Sequence, residues 1–222
     1  MRNYILSAAV LATAMVAAPA HALLIDDFND GMDLVSMVAP GPSNTAAATA
    51  VGGSRTLEIL SGMTTSLQTL IPPGVLAHGQ VADTGSSMVT WDANGAGLGG
   101  GAGVDLTSAG MSNGIRLEVI SIDVGNVNLT IGVDSAAGSS SLALNMLSVG
   151  TESFFFTNFI GTADFTAATA VTLTIEATSS TGDIVLDLID TIDVPPPVVS
   201  EPAVLALMGV GIVGLAVARR RA

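Results

Sequence analysis

At 222 residues the chain has room for one domain and the segments that address it, and little more. Lysine is absent, and 19 acidic residues face six arginines for a formal net charge of −13. A surface so anionic repels phosphate backbones and excludes nucleic-acid binding. The lack of cysteine removes thiol nucleophiles, thiolate metal sites and disulfides.

The N-terminus places Arg2 before an apolar run from Tyr4 to Ala18, and Ala20-His21-Ala22 supplies a small-x-small cleavage pattern. Residues 1–22 therefore read as a secretory signal peptide, cut after Ala22 by signal peptidase. The apolar stretch is short for a bilayer core of about 30 Å, which argues against a retained anchor.

Residues 23–194 read as one β domain. Val127, Leu129, Ile131 and Val133 alternate with Asn128, Thr130 and Gly132, and Val171, Leu173 and Ile175 alternate with Thr172, Thr174 and Glu176. Period two with one apolar face marks a half-buried strand. Further strands are expected over residues 23–28, 56–60, 66–71, 87–91, 115–124, 142–149, 153–157 and 184–192. No stretch has the spacing of an amphipathic helix. About ten short strands separated by turns imply an all-β fold, an antiparallel β-sandwich or jelly roll. Between Ala22 and Ala203 only Arg55 and Arg116 oppose the 19 acids, so the exported region carries −17.

Four features of this domain could carry chemistry. Gly95-Ala96-Gly97-Leu98-Gly99-Gly100 has the spelling of a phosphate loop, but no helix follows and no basic residue is near, so a surface loop is expected. Asp26, Asp27, Asp187 and Asp190 would converge if the first and last strands pair, and clustered carboxylates suit a structural Ca²⁺ ion; solvated turn acids are the alternative. No other cofactor is expected. Sugar sites usually stack rings on exposed aromatics, and Trp91, beside the glycine loop, is the candidate ligand-binding platform. Phe154-Phe155-Phe156 puts rings on both faces of one strand. Catalysis has little support: there is no Gly-x-Ser-x-Gly elbow, and His78 is the domain's one histidine. A glycosidase, which needs two carboxylates, is the enzymatic alternative.

The C-terminus begins with a stiff Pro-rich linker, residues 195–199, opened by Pro195-Pro196-Pro197. Ser200-Glu201-Pro202 follows, then sixteen uncharged residues, 203–218, and the cluster Arg219-Arg220-Arg221. As a transmembrane helix that run would span about 24 Å, marginal for a bilayer, with the arginines held in the cytoplasm.

Residues 200–222 resemble the PEP-CTERM sorting signal of Gram-negative bacteria that make exopolysaccharide: a Pro-Glu-Pro motif, an apolar helix and an arginine cluster, with a leader at the other end. Ser200 stands where the motif has its first proline; Glu201 and Pro202 match. The resemblance implies recognition and cleavage by an exosortase, a transient inner-membrane intermediate with a cytoplasmic C-terminus, and delivery to the cell surface or extracellular matrix. The strand order, opening on Leu24-Ile25-Asp26-Asp27-Phe28 and closing on Leu186-Asp187-Leu188-Ile189-Asp190, is also similar to the jelly-roll domains of such proteins, which implies that the first and last strands lie side by side. The expectation is a noncatalytic surface or matrix protein, with exopolysaccharide as the candidate partner. The alternatives are a secreted polysaccharide-active hydrolase and a permanently membrane-tethered envelope protein.

Overall fold

A computed structural model describes residues 22–193 apart from positions 39, 48, 72, 73, 124, 125 and 146. The leader through His21, the linker, the Ser200-Glu201-Pro202 motif, the expected helix and Arg219–Arg221 lie outside the described residues. Among the described residues no helix is long and apolar enough to cross a membrane.

The strands in chain order are β1 (Leu24–Asp26), β2 (Leu34–Ser36), β3 (Ser43–Ala46), β4 (Ser54–Ser61), β5 (Ser66–Leu70), β6 (Val75–Gly79) and β7 (Gly85–Trp91). They continue with β8 (Ser112–Ile122), β9 (Val127–Ser135), β10 (Gly138–Leu144), β11 (Gly150–Phe155), β12 (Ile160–Gly161), β13 (Ala168–Ala177) and β14 (Ile184–Asp193). They form an antiparallel sandwich of two sheets. The first runs β11-β8-β14-β6-β5-β2, with β1 also on β14; the second runs β12-β10-β9-β13-β7-β4-β3.

The alternation expected of β9 and β13 is what drives the sheets together. Val127, Leu129, Ile131 and Val133 are buried with Val171, Leu173 and Ile175, against Leu67, Leu76, Ile115, Leu117, Val119, Ile184 and Leu186 of the facing sheet. A side chain of that size, fully buried, contributes about 1.5–3 kcal/mol. The first and last strands do pair: Leu24 lies opposite Asp190, and Thr191 N–H donates to the Leu23 carbonyl at 3.0 Å.

Four strands were not expected. β2, β3 and β12 have two to four residues, too few to establish a period, and β6 (VLAHG) buries adjacent Val75 and Leu76, which breaks it. The strand expected over 142–149 instead ends at Leu144, and the one expected over 153–157 gives way after Phe155 to a short 3₁₀ turn.

The topology sorts the sandwich into two poles. Leu23 and the C-terminal end of β14 lie at one, with the 92–111 loop; the turns at 62–65, 80–84 and 178–183 lie at the other.

Candidate functional site

Trp91 closes β7 with its side chain inward, in step with Val89, and is completely buried. Its indole N–H donates to Asp26 Oδ2 at 2.8 Å. A ring without exposed surface offers no stacking face to a sugar, which overturns the expectation for this residue. The phenylalanines divide likewise: Phe154 is buried, Phe156 packs on Phe165 with centroids 4.5 Å apart, and Phe155 is 40% exposed on the edge strand β11.

The carboxylates singled out at the terminal strands do not converge as a ligand set. Asp26, fully buried, takes Arg55 Nη1–H on both oxygens at 2.9 Å. Arg55, buried as well, gives its second terminal nitrogen, Nη2, to the carbonyls of Asp30 and Gly31 and lies 5.6 Å from the Phe28 ring centre. A guanidinium thus stands among the oxygens that a Ca²⁺ ion would need. Asp190 is bound in two-pronged fashion by Arg116, at 2.6 and 2.8 Å. Asp27 accepts from Thr49 and the Asn29 amide; Asp187 joins neither arginine. Among the described residues no group of three or more His, Asp or Glu is arranged to hold a metal ion.

His78 does not begin a catalytic triad. It points inward from β6, its Nδ1 lies 2.7 Å from the Ser87 hydroxyl of the opposite sheet, and both residues are buried away from substrate. Burial pushes its pKa down to about 4, against the opposing pull of the Asp183 charge, so the ring is neutral near pH 7. The glycine loop folds over residues 92–103, with positive φ at six of its glycines, and offers a phosphate only a distorted four-residue 3₁₀ turn, Leu98–Gly101, with no basic residue in it.

Most acids of the domain are committed to structure. Asp33 accepts the Ser43 and Thr45 hydroxyls and the Leu34 amide; burial alone would raise its pKa, but these donors hold it below the usual carboxylate range. Asp83 is lowered by the Thr64 hydroxyl and by the backbone amides of Met63 and Thr64, and it ties the 62–65 and 80–84 turns together. Asp105, Glu118, Glu152, Asp164 and Asp183 each accept a hydrogen bond nearby. Glu58, Asp92, Asp123, Asp134, Glu176 and Asp187 accept none on their carboxylates from another described residue, and three of these, Glu58, Asp134 and Glu176, stand on the outer face of the second sheet.

That face is a registered lattice of hydroxyls and amides. One row crosses six strands as Asn44, Thr56, Thr90, Thr172, Gly132 and Ser141. It spans about 24 Å at ~4.8 Å per strand. The next row is Glu58, Met88, Thr174, Thr130 and Ala143, and the third is Ser61, Ser86, Glu176 and Asn128. A Cβ at Gly132 would stand 2.4 Å from Thr172 Oγ1, so this glycine lets the threonine lean across and leaves a dip in the lattice. The third row ends in a depression of about 290 Å³ lined by Ser61, Thr84, Gly85, Glu176, Ala177 and Thr178. The polar halves of the two clearly alternating strands supply its centre, so the period that revealed the core also carried this surface. Hydroxyls, amides and unpaired carboxylates in such density suit a ligand rich in hydroxyl groups.

No protein-family model and no curated protein matches the chain. Among solved structures it is similar to the family 11 carbohydrate-binding module of the cellulosomal cellulase Lic26A-Cel5E of Clostridium thermocellum, at 15% identity and a TM-score of 0.42, covering 80% of this chain and 97% of that one. It is also similar to TmCBM61, solved with β-1,4-galactotriose, at 6% identity and 0.37, covering 79% and 100%. A metagenome-derived family 12 endoglucanase matches at 9% and 0.38, covering 70% and 100%. These likenesses are remote, and the chemistry of the site rests on the residues of this chain alone.

Proposed function

We propose that this chain is an exported, noncatalytic protein of the cell surface or matrix, delivered through its C-terminal tail, whose sandwich binds polysaccharide on the outer face of the second sheet. The observation that carries the binding half is the registered rows of serine, threonine and asparagine side chains on that face, with three unbonded carboxylates, Glu58, Asp134 and Glu176, standing among them. Carboxylates accept from pairs of sugar hydroxyls, and hydroxyl side chains both donate and accept. Without an exposed ring, such a surface binds through many weak contacts along a chain and gains strength by repetition. The leader, Glu201, Pro202 and Arg219–Arg221 support the delivery half.

The test is retention of the full-length protein on polysaccharide gels, with sugar release followed in the same samples. Retardation without released sugar is expected, and free passage through every gel would sink the binding half. Release of reducing ends would favour the hydrolase, for which Glu58 and Glu176, two strands apart on one face, are the acids to mutate. Intact mass of the protein recovered from cell surface and medium tests delivery: a chain from near Leu23 to near Glu201 is expected, and a mass running through Ala222 contradicts tail processing.

A further inference from the structure

We infer that the depression at the end of the third row is a subsite for a single neutral sugar ring, and that Glu176 is its specificity-determining residue. This rests on the polysaccharide reading above. At about 290 Å³ the depression sits at the lower bound of ligand pockets, roughly 300 Å³, which suits one ring rather than a buried chain segment.

Its walls are hydroxyls and its floor is small. Ser61, Thr84 and Thr178 offer donors and acceptors, while Gly85 and the buried Ala177 contribute backbone to its floor. Glu176 is exposed, and it is the one charged group in the lining. It accepts no hydrogen bond from another described residue, so its two oxygens are available to adjacent ring hydroxyls. Anionic rings carrying carboxylate, sulfate or phosphate meet like charge at Glu176, no compensating cation in the lining, and an exported region at −17 overall. The site therefore selects neutral over acidic glycans.

The pocket is held in shape from below. Ser61 Oγ lies 2.9 Å from Ser86 Oγ, and the Ser61 carbonyl accepts from the buried Thr65 hydroxyl at 2.9 Å. Gln80 Nε2 donates to the same Thr65 oxygen at 2.6 Å. Gln80 is 5% exposed, and its Oε1 has no partner among the described residues. Gly85 separates this cluster from the depression: a Cβ there would stand 2.0 Å from Thr65 Oγ1 and 2.5 Å from Gln80 Nε2, so no larger residue can form the floor. The pole is also the one away from Leu23 and the end of β14. A protein held by either terminus thus presents the subsite outward.

Full-length protein in detergent micelles, titrated by calorimetry with cellotetraose, galactotetraose and tetragalacturonate, tests this. At least one neutral tetraose should bind and the acidic one should not. Glu176→Gln, an exposed and near-isosteric change, should weaken the neutral ligand about tenfold or more, the usual scale for a hydrogen bond to a charged group, with Tm unchanged. Equal affinity for tetragalacturonate, or a Glu176→Gln effect below twofold, overturns the subsite. Thr174→Ala separates the two levels of the claim. If it weakens a neutral ligand while Glu176→Gln does not, the sheet face binds and the subsite is wrong. If no probe binds, both fail.

Discussion

Two groups of buried polar residues, one at each pole of the sandwich, solve the same problem in opposite ways. Toward the pole of the termini, Asp26, Arg55 and Trp91 form a charged knot in which each member is fully buried. At the far pole the buried polar groups are neutral and paired, His78 with Ser87 and Gln80 with Thr65. A buried ion pair is unforgiving, because loss of one partner strands a charge. A neutral pair tolerates loss better but is sensitive to protons. The charged knot also joins the sheets, since Asp26 lies on β1 of the first and Arg55 and Trp91 on β4 and β7 of the second.

The largest effect should come from Arg55→Met, which leaves Asp26 buried without its counter-ion. A loss of about 3–5 kcal/mol is expected in denaturant unfolding. Replacing Asp26 by Leu as well should recover part of that loss; a double variant no better than the single one would show that packing, not stranded charge, dominates.

The far group should yield next, to pH. The folded pKa of His78 is depressed to about 4 from 6.5, so the unfolded chain takes up the proton first as pH falls. Its contribution is fully present above pH 6.5, declines below it, and is lost as pH passes through the folded value near 4. The scale is about 3 kcal/mol. Asp33 and Asp83, held below 3.8, lose theirs only at lower pH, so the two windows separate. A pH–stability profile of His78→Gln should be flatter between pH 6.5 and 4 than that of the parent. Parallel profiles would contradict the assignment.

Trp91→Phe keeps a ring but leaves Asp26 one donor short, with a smaller expected loss of about 1.5–3 kcal/mol, the range for hydrogen bonds to charged groups. Smallest of all should be Thr174→Ala on the outer lattice, within about 0.5 kcal/mol in stability. That is what makes it usable as a binding probe.

The parts of the fold legible in the sequence were those with a long, clean period. β9 and β13 announced themselves, and the pairing of first and last strands was implied by the resemblance to jelly-roll domains. β2, β3 and β12 were illegible because two to four residues carry no period. Trp91 was misplaced by its neighbours: the glycine loop drew it outward, whereas its parity with Val89 already pointed inward. The pairing of the terminal strands does not make a ligand set of their acids, because Asp26 and Asp190 each go to a different arginine. The domain contains two arginines, and each had to find an acid: Arg55 took Asp26 from 29 residues away, and Arg116 took Asp190 from 74. The lattice on the second sheet was written in the polar residues between the core positions, which reveal a surface only once strand order places them in rows.

The central claim is that this lattice, and not the opposite face, is the polysaccharide surface. The opposite face exposes Leu34, Ile120 and Phe155. Methyl NMR of the full-length protein, titrated with a polysaccharide that retards it, decides between the two. The account predicts shifts at the methyls of Thr56, Thr90, Thr130, Thr172 and Thr174, with Leu34 and Ile120 unmoved. Shifts confined to Leu34 and Ile120 would contradict it.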